Sequence, residues 1–223
     1  MLPKDNKEKM KSFPNIKDIV TAKDWKFLVK NTLPVNIADI YSFSEAMHII
    51  DLLINASAEE ILEDGFIADL MRDYSVNLMK ILREKYSLDW KKDWKNEAFL
   101  GIICGLVFRE EEAFMHIQNA YEQIEDAPQS LILIYISAGS GPDRFLSREQ
   151  IIDLSQKAIA KGVTYESALH MAFLAYEQKE FEKQKYWEER ASDAEKKGIH
   201  TSTIVPNVLK DRCKAEKRYQ YEE

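Results

Sequence analysis

Four histidines carry most of the chemistry this sequence can offer, and three of them follow a glutamate at helical spacing. Glu45 and His48 form Glu-x-x-His, while Glu112 precedes His116 and Glu166 precedes His170 by four residues. On a helix, residues three or four apart share a face, and Glu-x-x-His supplies two ligands to the di-metal centres of helical bundles. Such a centre needs that motif twice, with two further inward carboxylates, and no second copy occurs. The three pairs therefore predict hydrogen bonds or ion pairs at the surface, and no metal site.

The other reactive groups are sparse. Cys104 lies among Ile102, Ile103, Leu106 and Val107, which predicts a buried, inert thiol. Cys213 sits in a charged stretch with no partner spacing to Cys104, so the expectation is a reduced protein of the cytoplasm. Gly139-Ser140-Gly141-Pro142-Asp143-Arg144 lacks the lysine and spacing of a phosphate-binding loop, and reads as a turn between helices. No Gly-x-Ser-x-Gly, Cys-x-x-Cys or His-Glu-x-x-His occurs. Trp25, Trp90, Trp94 and Trp187 have apolar neighbours and read as core. The expectation is a chain with no catalytic residues, no cofactor and no metal.

Composition bounds the scaffold that must position these residues. The chain has 223 residues, 45% hydrophobic and 31% charged, with only seven Gly and six Pro. Those values fit a globular domain and oppose turn-dense all-β architectures. Met1 to Lys11 leads into no apolar run of signal-peptide length, and the longest apolar run, Leu131 to Ile136, is too short to span a membrane. The net charge of −7 is concentrated, with −7 over residues 31–82 and −6 over residues 96–130. This opposes nucleic-acid binding, which requires a basic face, and suits a basic protein partner.

Helical period dominates the chain. Thr21 with Asp24, Ser42 with Glu45, Ser57 with Glu60, and Ser147 with Gln150 have capping-box spacing. The first is expected to start a helix broken at Pro34, and the third a short turn stopping near Gly65. From Phe66 to Tyr86 apolar residues recur at three and four, the stripe of a long amphipathic helix. Asp89 to Lys95 reads as a connector. Beyond it come pairs: Ala98–Phe108 with Glu110–Glu125, Leu131–Ala138 with Ser147–Lys161, and Tyr165–Gln178 with Phe181–Lys197. Gly162 and Gly198 are expected helix stops, and a last polar helix follows Pro206. No alternating strand pattern appears, so the fold class is all-α.

Three alanines end the second helices of these pairs, Ala120, Ala158 and Ala191. In the first pair, Leu100-Gly101, Ala113 and Ala120 stand at the spacing of small residues in helix-pair repeats. The third pair carries Ala168, Ala172, Ala175-Tyr176, Phe181 and Trp187-Glu-Glu-Arg-Ala191, with Gln184 at its expected small position and a turn read as one residue short. This part of the chain resembles the tetratricopeptide repeats. The resemblance implies antiparallel helical hairpins stacked as a short superhelix over residues 96–223, after an N-terminal helical bundle over residues 1–95. A bundle without repeats is the alternative, since small residues mark any close helix crossing.

The resemblance also implies a function: a non-catalytic adaptor whose groove, lined by first helices, binds a peptide or protein partner. By position, Lys95, His170, Glu177 and Gln178 face that groove. The alternative is an acidic immunity or inhibitor protein neutralising a basic toxin or enzyme, with Glu111 and Glu112 steering the partner. Glu110, Glu111 and Glu112 equally suit a helix start, where the dipole favours carboxylates. An enzyme built around Glu45 and His48 is the least favoured reading.

Overall fold

A computed structural model describes residues 15–141 and 143–217. Met1 to Lys11 and Pro142, both weighed above, lie outside the described residues. Among those described there are thirteen α-helices, one 3-10 helix and no strand, so the chain is all-α.

The N-terminal part runs through α1 (Ile16–Thr21), α2 (Trp25–Asn31), α3 (Pro34–Ile40), α4 (Phe43–Glu60), α5 (Gly65–Lys85) and α6 (Ser87–Trp90). Ser42 and Glu45 close the expected capping box, with Ser42 N–H donating to Glu45 Oε2 at 2.9 Å. Two starts differ from expectation, those at Thr21 and Ser57. Thr21 is the last residue of α1, and Asp24 alone caps α2 by accepting from Phe27 N–H at 3.1 Å. The break expected at Pro34 is present: α2 ends at Asn31, and Pro34 opens α3 at its first position, where a missing N–H costs nothing. Ser57 starts no turn: its hydroxyl donates to Ile54 O at 2.8 Å and accepts from Arg72 Nε at 3.2 Å, so α4 continues through it. The long stripe from Phe66 becomes α5, which lies along α4.

The second part consists of α7 (Trp94–Leu106), α8 (Glu110–Glu122), α9 (Gln129–Gly139), α10 (Arg148–Ala160), α11 (Tyr165–Glu177) and α12 (Phe181–Lys196). Each consecutive pair packs together, most extensively α7 with α8 and α11 with α12. Ala120, Ala158 and Ala191 are buried at 0%, 1% and 2% exposure. Gly101 explains the closeness of the first pair. A Cβ there would lie 2.6 Å from Ile117 Cγ1 and 3.0 Å from Ala113 O, so the two backbones meet where no side chain fits.

Two of these pairs turn in the same way. Phe108 and Lys179 adopt left-handed φ of 58° and 59°, and Arg109 and Glu180 then both take φ −91°, ψ 68°. Arg109 N–H reaches Cys104 O at 3.0 Å, and Glu180 N–H reaches Ala175 O at 2.9 Å. The third pair's turn is therefore as long as the first's. Its α11 and α12 start where α7 and α8 do, after the same shift along the chain.

After α12 the chain is extended, then forms a 3-10 helix (Asn207–Leu209) and α13 (Lys210–Glu216). This end is less polar in packing than in sequence. Leu209 and Cys213 are buried in the N-terminal core with Leu53, Leu78 and Met79, and Leu100 and Ile103 of α7 belong to the same core. A second core under α9 joins Leu131, Ile132, Ile136 and Leu154 to Ile204 of the extended segment.

Packing at Gly101 makes a testable statement. Gly101→Val should destabilise the chain by about 1–3 kcal/mol through overpacking, read as a lower urea midpoint. Gly105→Ala, whose Cβ would meet only the Ala113 Cβ at 4.0 Å, should be neutral or stabilising by up to ~1 kcal/mol through helix propensity.

Candidate functional site

Two clefts open on adjoining faces of α9. The first, about 770 Å³, lies between α9 and α11 and is bounded by the α9–α10 loop. Leu133 and Ser137 of α9, Arg144 and Arg148 near the loop, and His170, Phe173 and Glu177 of α11 line it. The second, about 600 Å³, lies between α7, α8 and α9, and the extended segment Thr201–Ile204 forms one wall. Leu133, Ser137, Gly141 and Glu166 border both clefts, so they form one surface.

His170 is the most constrained polar group of the first cleft. Ser155 commits its hydroxyl proton to Ile151 O at 2.6 Å, so His170 Nε2 donates to Ser155 Oγ at 2.8 Å. Burial lowers the His170 pKa, opposed by the charge of Glu177. Glu177 is exposed in the same cleft, and Arg144 and Arg148 face it with opposite charge.

The other expected site residues are elsewhere. Gln178 borders a separate hollow with Met171 and Trp187, because one residue along a helix turns the side chain away from Glu177. Lys95 is 4% exposed, its amine 5.7 Å from the centre of the Trp94 ring, so it cannot line an open groove. Glu112 pairs with Lys80 of α5 at 2.6 Å and with Arg109 at 3.7 Å, which holds its carboxyl below the ordinary value. It ties α8 to α5. Glu111 is exposed beside it in the first turn.

None of the three sequence-spaced glutamate–histidine pairs takes the expected form. Glu45 is engaged by Ser42 in its capping box. Glu166 accepts from His200 Nδ1 at 3.0 Å and from Thr201 N–H at 2.7 Å. His116 donates Nδ1–H to Glu97 Oε1 at 2.8 Å and is buried.

Glu97 was invisible to motif reasoning. It is 2% exposed, and its carboxylate also accepts from Trp90 Nε1 at 2.6 Å and pairs with Arg83 at 3.0 Å. Burial opposes its ionisation, but the hydrogen bonds from His116 and Trp90 and the charge of Arg83 prevail, and the carboxyl lies below its ordinary 4.5. Its donors come from α5, α6 and α8 at once. A carboxylate held from three helices at once is a joint between them. Burial likewise pushes the Cys104 thiol up to about 11, far from a nucleophile's range. Among the described residues no group of three or more His, Cys, Asp or Glu could hold a metal ion, and no helix is long and apolar enough to cross a membrane.

No known family's sequence model matches the chain, and no solved structure matches it. A stretch of 57 residues, 26% of the chain, is 32% identical to a phosphate acyltransferase of Herpetosiphon aurantiacus. The match spans only 16% of that protein's length, so its named activity stays with that protein.

Two outcomes check the Glu97 joint. Glu97→Gln should cost about 3–5 kcal/mol by leaving buried donors without a charged acceptor. In the wild type, the lowered carboxyl contributes stability that is full above pH 4.5 and is lost as pH falls through the folded-state value. Urea midpoints measured from pH 7 down to pH 3 should therefore fall more steeply for the wild type than for the variant.

Proposed function

We propose that this chain is a non-catalytic interaction module, a short tetratricopeptide-like stack of three hairpins that binds extended polypeptide. The matched turns of α7–α8 and α11–α12 and the close crossing at Gly101 support the repeat reading. The use of Glu97 as a joint between helices and the unreactive Cys104 support a module without its own chemistry.

One observation carries the binding assignment. The extended chain after α12 is already gripped by the starts of all three first helices. Tyr165 N–H of α11 donates to Ile199 O at 3.0 Å, and Glu166 accepts from Thr201 N–H. Gln129 of α9 accepts from Thr201 Oγ1 at 3.3 Å, and Asp93, the cap of α7, accepts from Asn207 N–H at 2.6 Å. A surface that orders main chain in this way is suited to a peptide, and Glu166, which holds Thr201, also borders the open 770 Å³ cleft.

A second reading rests on a different surface. At the α4–α5 turn, Leu62 and Phe66 are 94% and 75% exposed among Glu59, Glu63 and Asp64. An acidic turn with an apolar tip suits a basic partner with an apolar pocket, as an immunity or inhibitor protein requires. The cleft takes precedence because Glu166, which holds the chain at Thr201, also borders it.

Selection from a displayed random-peptide pool tests the assignment. Enriched peptides should bind the wild type and lose at least ~10-fold affinity, about 1.4 kcal/mol, on Phe173→Glu, which places a charge in the cleft without entering the core. An absence of enrichment, or affinity indifferent to Phe173, would refute cleft binding. Loss of affinity on Leu62→Asp instead would favour the acidic turn.

A further inference from the structure

The segment that follows α12 has two unlike halves. From Ile204 onward it is locked: Ile204 and Val205 are 1% and 5% exposed, and Leu209 and Cys213 lie in the N-terminal core. From Ile199 to Thr203 it is exposed or half-buried and held by polar contacts and by the edge-on packing of the His200 ring on Tyr165 at 5.5 Å. Those contacts are specific. Glu166 Oε1 takes His200 Nδ1, Glu166 Oε2 takes Thr201 N–H, and Tyr165 N–H takes Ile199 O. The Thr201 hydroxyl lies 2.7 Å from Thr164 Oγ1 and 3.3 Å from Gln129 Oε1.

Releasing this first half exchanges those bonds for bonds to water and parts His200 from the Tyr165 ring, while the buried Ile204 can stay in place. Low-stability segments of this kind open locally without global unfolding. Gly198, at φ 65° where α12 ends, and the buried Ile204 bound the part that can move. Release also matters to the surface, because Glu166 borders both clefts. Its carboxylate, freed of His200 and Thr201, would face the channel they form, with Gln129 and Thr164 beside it.

We infer that residues 199–203 are a displaceable internal ligand, and that the outside partner is an extended peptide bearing a basic or imidazole side chain followed by a hydroxyl residue. Such a peptide offers Glu166 a cation and a main-chain N–H, and offers Thr164 and Gln129 a hydroxyl, as His200 and Thr201 do. The inference rests on the peptide-binding reading and adds the partner's chemistry and the self-occupied state. Affinity for the partner is then reduced by the fraction of molecules in which the segment is closed.

The test uses the full chain and a fluorescein-labelled peptide reproducing residues 198–206. Thr201→Val removes the internal hydroxyl contacts, and Thr201→Pro also removes the N–H that Glu166 holds. Both should raise hydrogen exchange at residues 199–203, and both should bind the peptide at least ~10-fold more tightly than the wild type. Adding Glu166→Ala to Thr201→Val should abolish that gain. Exchange unchanged in both variants, or equal peptide affinity in wild type and variants, would overturn the inference. Cleft-binding peptides from the random pool that fail to compete with the 198–206 peptide would overturn it alone, leaving the peptide-binding assignment in place. Valine keeps the backbone intact, so the test holds if the proline variant does not fold.

Discussion

The structure depends on one buried carboxylate. Glu97 sits in the first turn of α7 and receives Trp90 from α6, Arg83 from α5 and His116 from α8. An unpaired buried carboxylate is costly to ionise, so the chain must bring these donors together whenever it folds. That requirement fixes how the first hairpin stands against the N-terminal helices. Leu100 and Ile103, on the same helix, then enter the core built by α4 and α5. Glu112 adds a more exposed tie from α8 to Lys80 of α5.

Once α7 and α8 are placed, close crossings govern the rest. Gly101 lets the two backbones touch, and a buried alanine stands in the second helix of each pair, Ala120 in the first, Ala158 in the second and Ala191 in the third. Apolar α9 then has neighbours on both sides, with α8 behind it and α10 after it, and its remaining faces border the two clefts. The chain end passes the starts of α11, α9 and α7 in turn and returns to the first core through Leu209 and Cys213. Order of the cleft wall and stability of the core are thereby linked in one segment.

Local signals in the sequence were legible because their causes are local. The capping boxes at Ser42 and Ser147, the stripe of α5 and the small residues of the hairpins each depend on neighbours within a turn or two. Glycine stops at Gly162 and Gly198 belong with them. Ser57 was misjudged because its spacing to Glu60 is compatible with a helix start, while Arg72, fifteen residues away, decides its role in space. The polar pairings were illegible. His116 finds Glu97 and Glu166 finds His200 across helix boundaries, while the i, i+4 partners that spacing suggested are otherwise engaged. His170 and Glu177 line the first cleft while Lys95 is buried beside the Trp94 ring, a difference that repeat position alone does not carry.

If Glu97 joins the N-terminal helices to the hairpins, the two parts open together. Native-state hydrogen exchange resolved by residue measures this most directly. The slowest amides of α4 and α5 should report the same opening free energy as the slowest amides of α7 and α8, and all should shift together in mild denaturant. Two plateaus differing by more than ~1.4 kcal/mol, a tenfold difference in opening, would contradict the account and make the two parts independent.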